Sequence, residues 1–164
     1  MEAKNFRIGN LVTIKDTALH YDGASKDVLF EVGELKEDVV QFKGFDTGEY
    51  YKDLKPIDLN MGWLKLFGFE GCDMDMWIVL PLGNELELHI DCVFPEKFEN
   101  ACLTQGRTDK GIPGEDYKFA YLNECKHVHE LQNLFFALTG KELELKHESS
   151  ACSSTTVYVN KSPY

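Results

Sequence analysis

The chain reads as an α+β protein: a small N-terminal β meander or SH3-like barrel, followed by an α-β-hairpin-β-α unit on a mostly antiparallel sheet. Three observations predict this. Short β-rich runs closed by glycine or aspartate recur at roughly ten-residue spacing through residues 1–58. A clean two-residue alternation over Glu85–Phe94 marks a half-buried strand. A helical periodicity over residues 127–139 stops at Gly140.

The elements follow in order. Leu11-Val12-Thr13-Ile14 comes after a Gly9-Asn10 turn, Val28–Val32 ends at Gly33, Val39–Phe42 ends at Gly44, and Tyr50-Tyr51 opens a further strand. Leu54–Leu59 is a connector in which Pro56 holds Lys55 extended. Asn60 is placed to cap a short helix over Met61–Phe67, with Gly68 as its stop and Trp63, Leu64 and Phe67 on one face. Met76–Leu80 runs into Gly83-Asn84, a signal for a tight primed turn, and the strand returns over Glu85–Phe94. Residues 95–116, rich in Gly and charge, read as a long loop, and Tyr117–Tyr121 as a strand returning to the sheet. Lys141–Leu145 alternates like a strand, 147–155 reads as a turn or flexible segment, and Thr156–Val159 as a last strand. The expected division is therefore a β subdomain, 1–58, and an α+β subdomain, 59–164.

Composition narrows the function classes. The chain has 164 residues, 43% of them hydrophobic, enough to bury a core without staples. Seventeen basic residues face 28 acidic ones, a net charge of −11. The excess is spread along the chain, with 8 basic against 12 acidic groups in residues 1–58 and 9 against 16 in the remainder. Nucleic acid and anionic membranes demand a basic face, so direct binding to either is disfavoured, while proteins that bind nucleic acid are attracted. Five cysteines without a C-x-x-C pair, no leader and no span-length apolar run lead to the expectation of a cytoplasmic protein with reduced thiols.

The motif search is largely negative. There is no G-x-S-x-G, P-loop, G-x-G-x-x-G or H-E-x-x-H, so neither a catalytic centre nor a cofactor is expected. His127 and His129 point apart if both lie on a helix, which argues against an H-x-H metal pair. Cys125 and His129, four apart, share a face on the same assumption and form the alternative, a small metal protein, though zinc needs further ligands. Another alternative is a nucleic-acid-binding regulator using Lys52 and Lys55 beside Tyr50 and Tyr51.

Two partner-contact surfaces are expected. The first is the outward row Glu85, Glu87, His89 and Asp91, which Glu142 and Glu144 on another strand could widen. A carboxylate row along a regular strand is ordinarily a solvated face, and general acid–base work needs a sheltered cleft. Its functional use is as an anionic strip for a basic partner. The second is the stripe His129, Gln132, Asn133 and Phe136, opposite the apolar arc of Val128, Leu131, Leu134, Phe135 and Leu138. A helix apolar on one side with an aromatic on the other is either buried on both sides or carries a binding patch.

Phe6-Arg7-Ile8-Gly9-Asn10-Leu11-Val12, Pro56-Ile57-Asp58-Leu59, Trp63–Phe69 (WLKLFGF) and Val128–Leu143 (VHELQNLFFALTGKEL) together resemble an R-I-G-N…P-I-x-L…W-L-x-x-F-G-F…V-H-x-L-Q-N-L-x-F-A-L-T-G-x-E-L pattern. That pattern is found in a group of small uncharacterised proteins from Bacteroidota genomes, their phages and mobile elements. Order and spacing agree over residues 5–143, while the middle is dissimilar, Asn60-Met61-Gly62 departs from the more usual T-E-E helix start, and the tail after Leu143 is extra to the pattern. The resemblance implies provenance and carries over no catalytic residue. Together with size and charge it leads to the expectation of a non-enzymatic interaction factor, an anti-CRISPR-like inhibitor of a host defence nuclease or of another nucleic-acid-binding protein.

Overall fold

The computed structural model describes residues 5–15, 28–46, 48–71, 77–93, 97–107, 113–122 and 124–146. The expected flexible segment 147–155 and last strand 156–159 lie outside them. The α+β class holds: two antiparallel sheets and two α-helices make up the described elements. The described residues divide into two compact units, one drawn from 5–57 and 127–142, the other from 58–126 and 143–146.

In the first unit, β1 (Leu11–Ile14), β2 (Phe30–Leu35), β3 (Val39–Phe42), β4 (Gly48–Tyr50) and β5 (Leu54–Lys55) form an antiparallel sheet in the order β4-β3-β2-β1-β5. Among the described residues it is open rather than closed into a barrel. Val12 lies opposite Phe30, Val32 opposite Phe42, and Ile14 opposite Leu54. These inward positions, with Phe6, Val40 and Tyr51, form one buried cluster. A 3-10 turn over Tyr51–Asp53 leads into β5, and the Tyr51 hydroxyl donates to Lys36 O at 2.8 Å, so its polar end is satisfied where its ring is buried.

The longer helix, Val128–Thr139, also belongs to this unit. Its polar stripe bonds to the N-terminal segment 5–11 of the same unit. We call it α2, since a shorter helix precedes it in the chain. It ends where Gly140 takes a φ of +69°, a left-handed geometry open to a residue without Cβ, and donates to Phe136 O at 2.8 Å. Lys141–Leu145, expected as a strand, is irregular.

In the second unit the short helix α1 (Met61–Leu66) starts at Asn60, whose Oδ1 accepts from Trp63 N at 3.1 Å. Residue 146 returns to it, Lys146 N donating to Leu66 O at 2.8 Å. The sheet is β6 (Trp77–Gly83), β7 (Leu86–Val93), β8 (Lys97–Arg107) and β9 (Pro113–Tyr121), in that order. The expected loop 95–116 is thus corrected over 97–107 and 113–116, which are paired strand, while 95–96 and 108–112 lie outside the described residues. β8 is an interior strand, and Ala101, Cys102 and Thr104 are buried on both of its faces, so no polar alternation marks it as a strand.

The β6–β7 turn is displaced by one residue from its expected place. Asn84 and Glu85, with φ of 52° and 61°, are its central pair, whereas Gly83 (φ 90°) ends β6 beside a register shift after Pro81. Pairing fixes the faces. Ile78, Leu80, Leu88, Ile90 and Ala101 are buried on one. The other carries two rows, Pro81-Glu87-Thr104-Phe119 and Val79-His89-Cys102-Tyr121.

Candidate functional site

The expected anionic strip sits on that second face but is not a solvated row. Glu85 lies in the turn rather than the strand, and exposed. Glu87 and Asp91 are half-buried, and His89 is 2% exposed. Sequence reasoning missed why. The neighbouring strand β8 brings buried Thr104 and Cys102 onto the same face, and a buried imidazole must find polar partners. Its Nε2 lies 2.9 Å from Thr104 Oγ1 and 3.0 Å from Glu87 Oε2.

Hydroxyl and carboxylate converge on the same ring nitrogen. A nucleophile–histidine–acid relay needs them on opposite nitrogens, so this trio lacks the geometry of one. Cys102, opposite His89 in the ladder, is fully buried, and burial, followed by the nearby Asp91 carboxylate, pushes its thiol pKa up. That is the reverse of what an attacking thiolate requires.

Both rows end at β9 on exposed aromatics, Phe119 at 41% and Tyr121 at 71%. Their ring centroids are 4.5 Å apart and nearly perpendicular, the edge-to-face arrangement that ring quadrupoles favour. The alternation Tyr117-x-Phe119-x-Tyr121 was the sequence signal for this pair, but nothing in it marked the strand as an edge.

The helical stripe is engaged by the chain's own N-terminal segment. Gln132, 3% exposed, accepts from Leu11 N at 2.9 Å and donates to Gly9 O at 3.2 Å. Asn133 accepts from Asn10 Nδ2 at 3.0 Å and donates to Asn5 O at 3.1 Å. The Arg7 guanidinium lies over Phe136, 3.5 Å from the ring centroid, and reaches Glu142 at 2.8 Å. His129, 4% exposed, packs its ring 5.1 Å from that of Phe6. These residues line an internal docking face rather than a free patch. The first and last stretches of the motif pattern, 6–12 and 128–143, therefore meet in one network.

The two histidines do not point apart. The helix begins at Val128, and His127 caps it in extended geometry, φ −128° and ψ 154°. Helical spacing does not govern the pair, whose rings stack at 5.6 Å. Glu130 reaches back to His127, its Oε2 accepting from the backbone N–H and its Oε1 lying 3.1 Å from Nδ1. The same boundary removes the argument for Cys125 with His129, because Cys125 precedes the helix and the four-residue spacing carries no face relation. Among the described residues no group of three or more His, Cys, Asp or Glu is arranged to hold a metal ion.

In the basic–aromatic cluster Tyr51 is buried, whereas Tyr50 is exposed with Lys52 Nζ 5.2 Å from its ring centroid. Lys15 joins it, its Nζ bonding Lys52 O. No helix among the described residues is long and apolar enough to cross a membrane. Comparisons with known proteins return no match, whether to a family model, a curated protein or a solved structure.

Proposed function

We propose that the protein is a non-enzymatic, acidic interaction factor of phage or mobile-element origin. It acts in the cytoplasm on a basic protein, either a host defence nuclease or another nucleic-acid-binding protein. The observation that carries this reading is the Phe119/Tyr121 pair, exposed on the same sheet face as Glu87 and Asp91. Aromatic faces near carboxylates attract arginine and lysine side chains by cation–π and Coulombic terms together, and the charge of −11 favours encounter with a basic partner. The buried thiol and the shared ring nitrogen at His89 support a non-enzymatic role. For the first sheet, the order β4-β3-β2-β1-β5 and the 3-10 turn before β5 support an SH3-like relationship, which we propose at the level of topology alone.

The test is a pull-down from a host extract at low salt, repeated at high salt and with Phe119→Ala/Tyr121→Ala. Capture of a basic nucleic-acid-binding protein, lost at high salt and in the double variant, is the expected result. Recovery of no such protein at low salt, or equal recovery by the double variant, overturns the reading.

A further inference from the structure

Resting on that interaction reading, we propose that the outer edge of β9 is a strand-docking site whose occupant is an extended, basic segment of the protein partner. The two edges of the four-stranded sheet differ. On β6, Val79 is covered by Glu70, which exchanges both backbone hydrogen bonds with it at 2.7 and 2.8 Å. The outer edge of β9 carries no strand among the described residues.

Ladder geometry shows what that edge offers. Leu122 N donates to Ala101 O at 2.8 Å, which makes Ala101 and Leu122 a bonded pair. Bonded pairs recur every second residue along an antiparallel ladder, so Leu103 with Ala120 is the next. The backbone groups of Phe119 and Tyr121 therefore face away from β8. An added strand pairs with residues of that outward-facing set, Phe119 and Tyr121 among them, which is the hydrogen-bonding arrangement of strand addition.

The same register selects the side chains of the occupant. Residues opposite Phe119 and Tyr121 fall on the face of the two rings, with Cβ atoms about 5 Å away, within reach for arginine to lie on an aromatic face. The residue between them falls on the other face, opposite Ala120 and next to Lys118, which favours an uncharged side chain there. The strand sequence holds Glu115 and Asp116 against Lys118, and the chain as a whole is −11, so an alternating basic–apolar segment is complementary. A second copy of this chain, equally acidic, is opposed by the same charge.

The probe is an alternating arginine–valine octapeptide titrated into the full-length protein at low salt, followed by backbone amide NMR. The expected result is shifts concentrated at Phe119–Tyr121, with binding weakened about tenfold or more when every arginine of the peptide is N-methylated. Phe119→Ala/Tyr121→Ala weakens it also, and a glutamate–valine octapeptide does not bind. Equal binding of the methylated peptide, with the shifts still at β9, overturns strand docking while leaving the basic-partner reading intact, and shifts away from β9 overturn both. No binding of the arginine peptide overturns both. A concentration-dependent dimer that shifts the β9 amides without peptide assigns the edge to a second copy and overturns the proposed occupant.

Discussion

The carboxamide of Gln132 bonds the backbone on either side of Asn10, accepting from Leu11 N at 2.9 Å and donating to Gly9 O at 3.2 Å. It thereby ties the middle of α2 to the entry of β1. Gln132 is buried, so truncation leaves a donor and an acceptor without their partner. Gln132→Ala is expected to cost about 2 kcal/mol in urea unfolding. Arg7→Ala is expected to cost less, at most about 1 kcal/mol, because the Arg7–Glu142 pair is partly exposed and screened. The order Gln132 above Arg7 is the checkable outcome. The reverse would mean that the ion pair, not the carboxamide, holds the segment.

His129 gives this docking a pH dependence. Burial lowers its pKa, the Glu130 carboxylate partly offsets that, and His127 adds to the lowering. The folded protein therefore favours the neutral ring more than the unfolded chain does. Above the unfolded value, about 6.5, both states are neutral and no penalty exists. As pH falls below it, the unfolded chain takes up the proton first and stability declines until the folded pKa is passed. Urea midpoints are expected to fall between pH 7 and pH 5 in the parent and to fall less in His129→Gln. Parallel pH profiles for the two would remove His129 as the source.

The histidine pair also shows what the sequence could disclose. The apolar arc and the stop at Gly140 follow from periodicity, because side-chain pattern and helix geometry share a period, whereas periodicity left open whether the second stripe is buried or free. The relation of His127 to His129 did not follow from it, since one residue's difference in the helix start turns the first into a cap and voids the face argument. His89 repeats the lesson on a strand. Alternation placed it correctly with Glu87 and Asp91, but its burial is decided by Cys102 and Thr104 on β8. That strand is buried on both faces and reads as a loop among charges. Face membership is a local property, whereas solvation depends on which strand lies alongside.

Glu85 sits in a left-handed conformation, φ 61°, following Asn84 at φ 52°. A side chain with Cβ pays for that geometry, more so than asparagine. Glycine at this position produces the Asn-Gly pair that such turns favour. Glu85→Gly is therefore expected to raise unfolding stability by about 1 kcal/mol. It also removes a charge from the strip first expected to bind a partner. Because Glu85 lies in the turn and not beside Phe119, peptide binding at β9 is expected to stay within about twofold of the parent. A stability loss would place the turn elsewhere than at Asn84-Glu85.

Cys102 and Cys125 are both buried, at 0% and 5% exposure. Alkylation needs an accessible thiolate, and burial denies Cys102 both access and ionisation. Brief iodoacetamide treatment near pH 8, followed by peptide mass spectrometry, is expected to leave both residues unlabelled in the native protein and label both in urea. Because Cys102 lies within the interior strand β8, its labelling in rising urea should follow the loss of the four-stranded sheet as a whole. Rapid native labelling of Cys102 would mean that β8 opens locally. It would also place an accessible thiol beside His89, reopening nucleophilic chemistry at that pair.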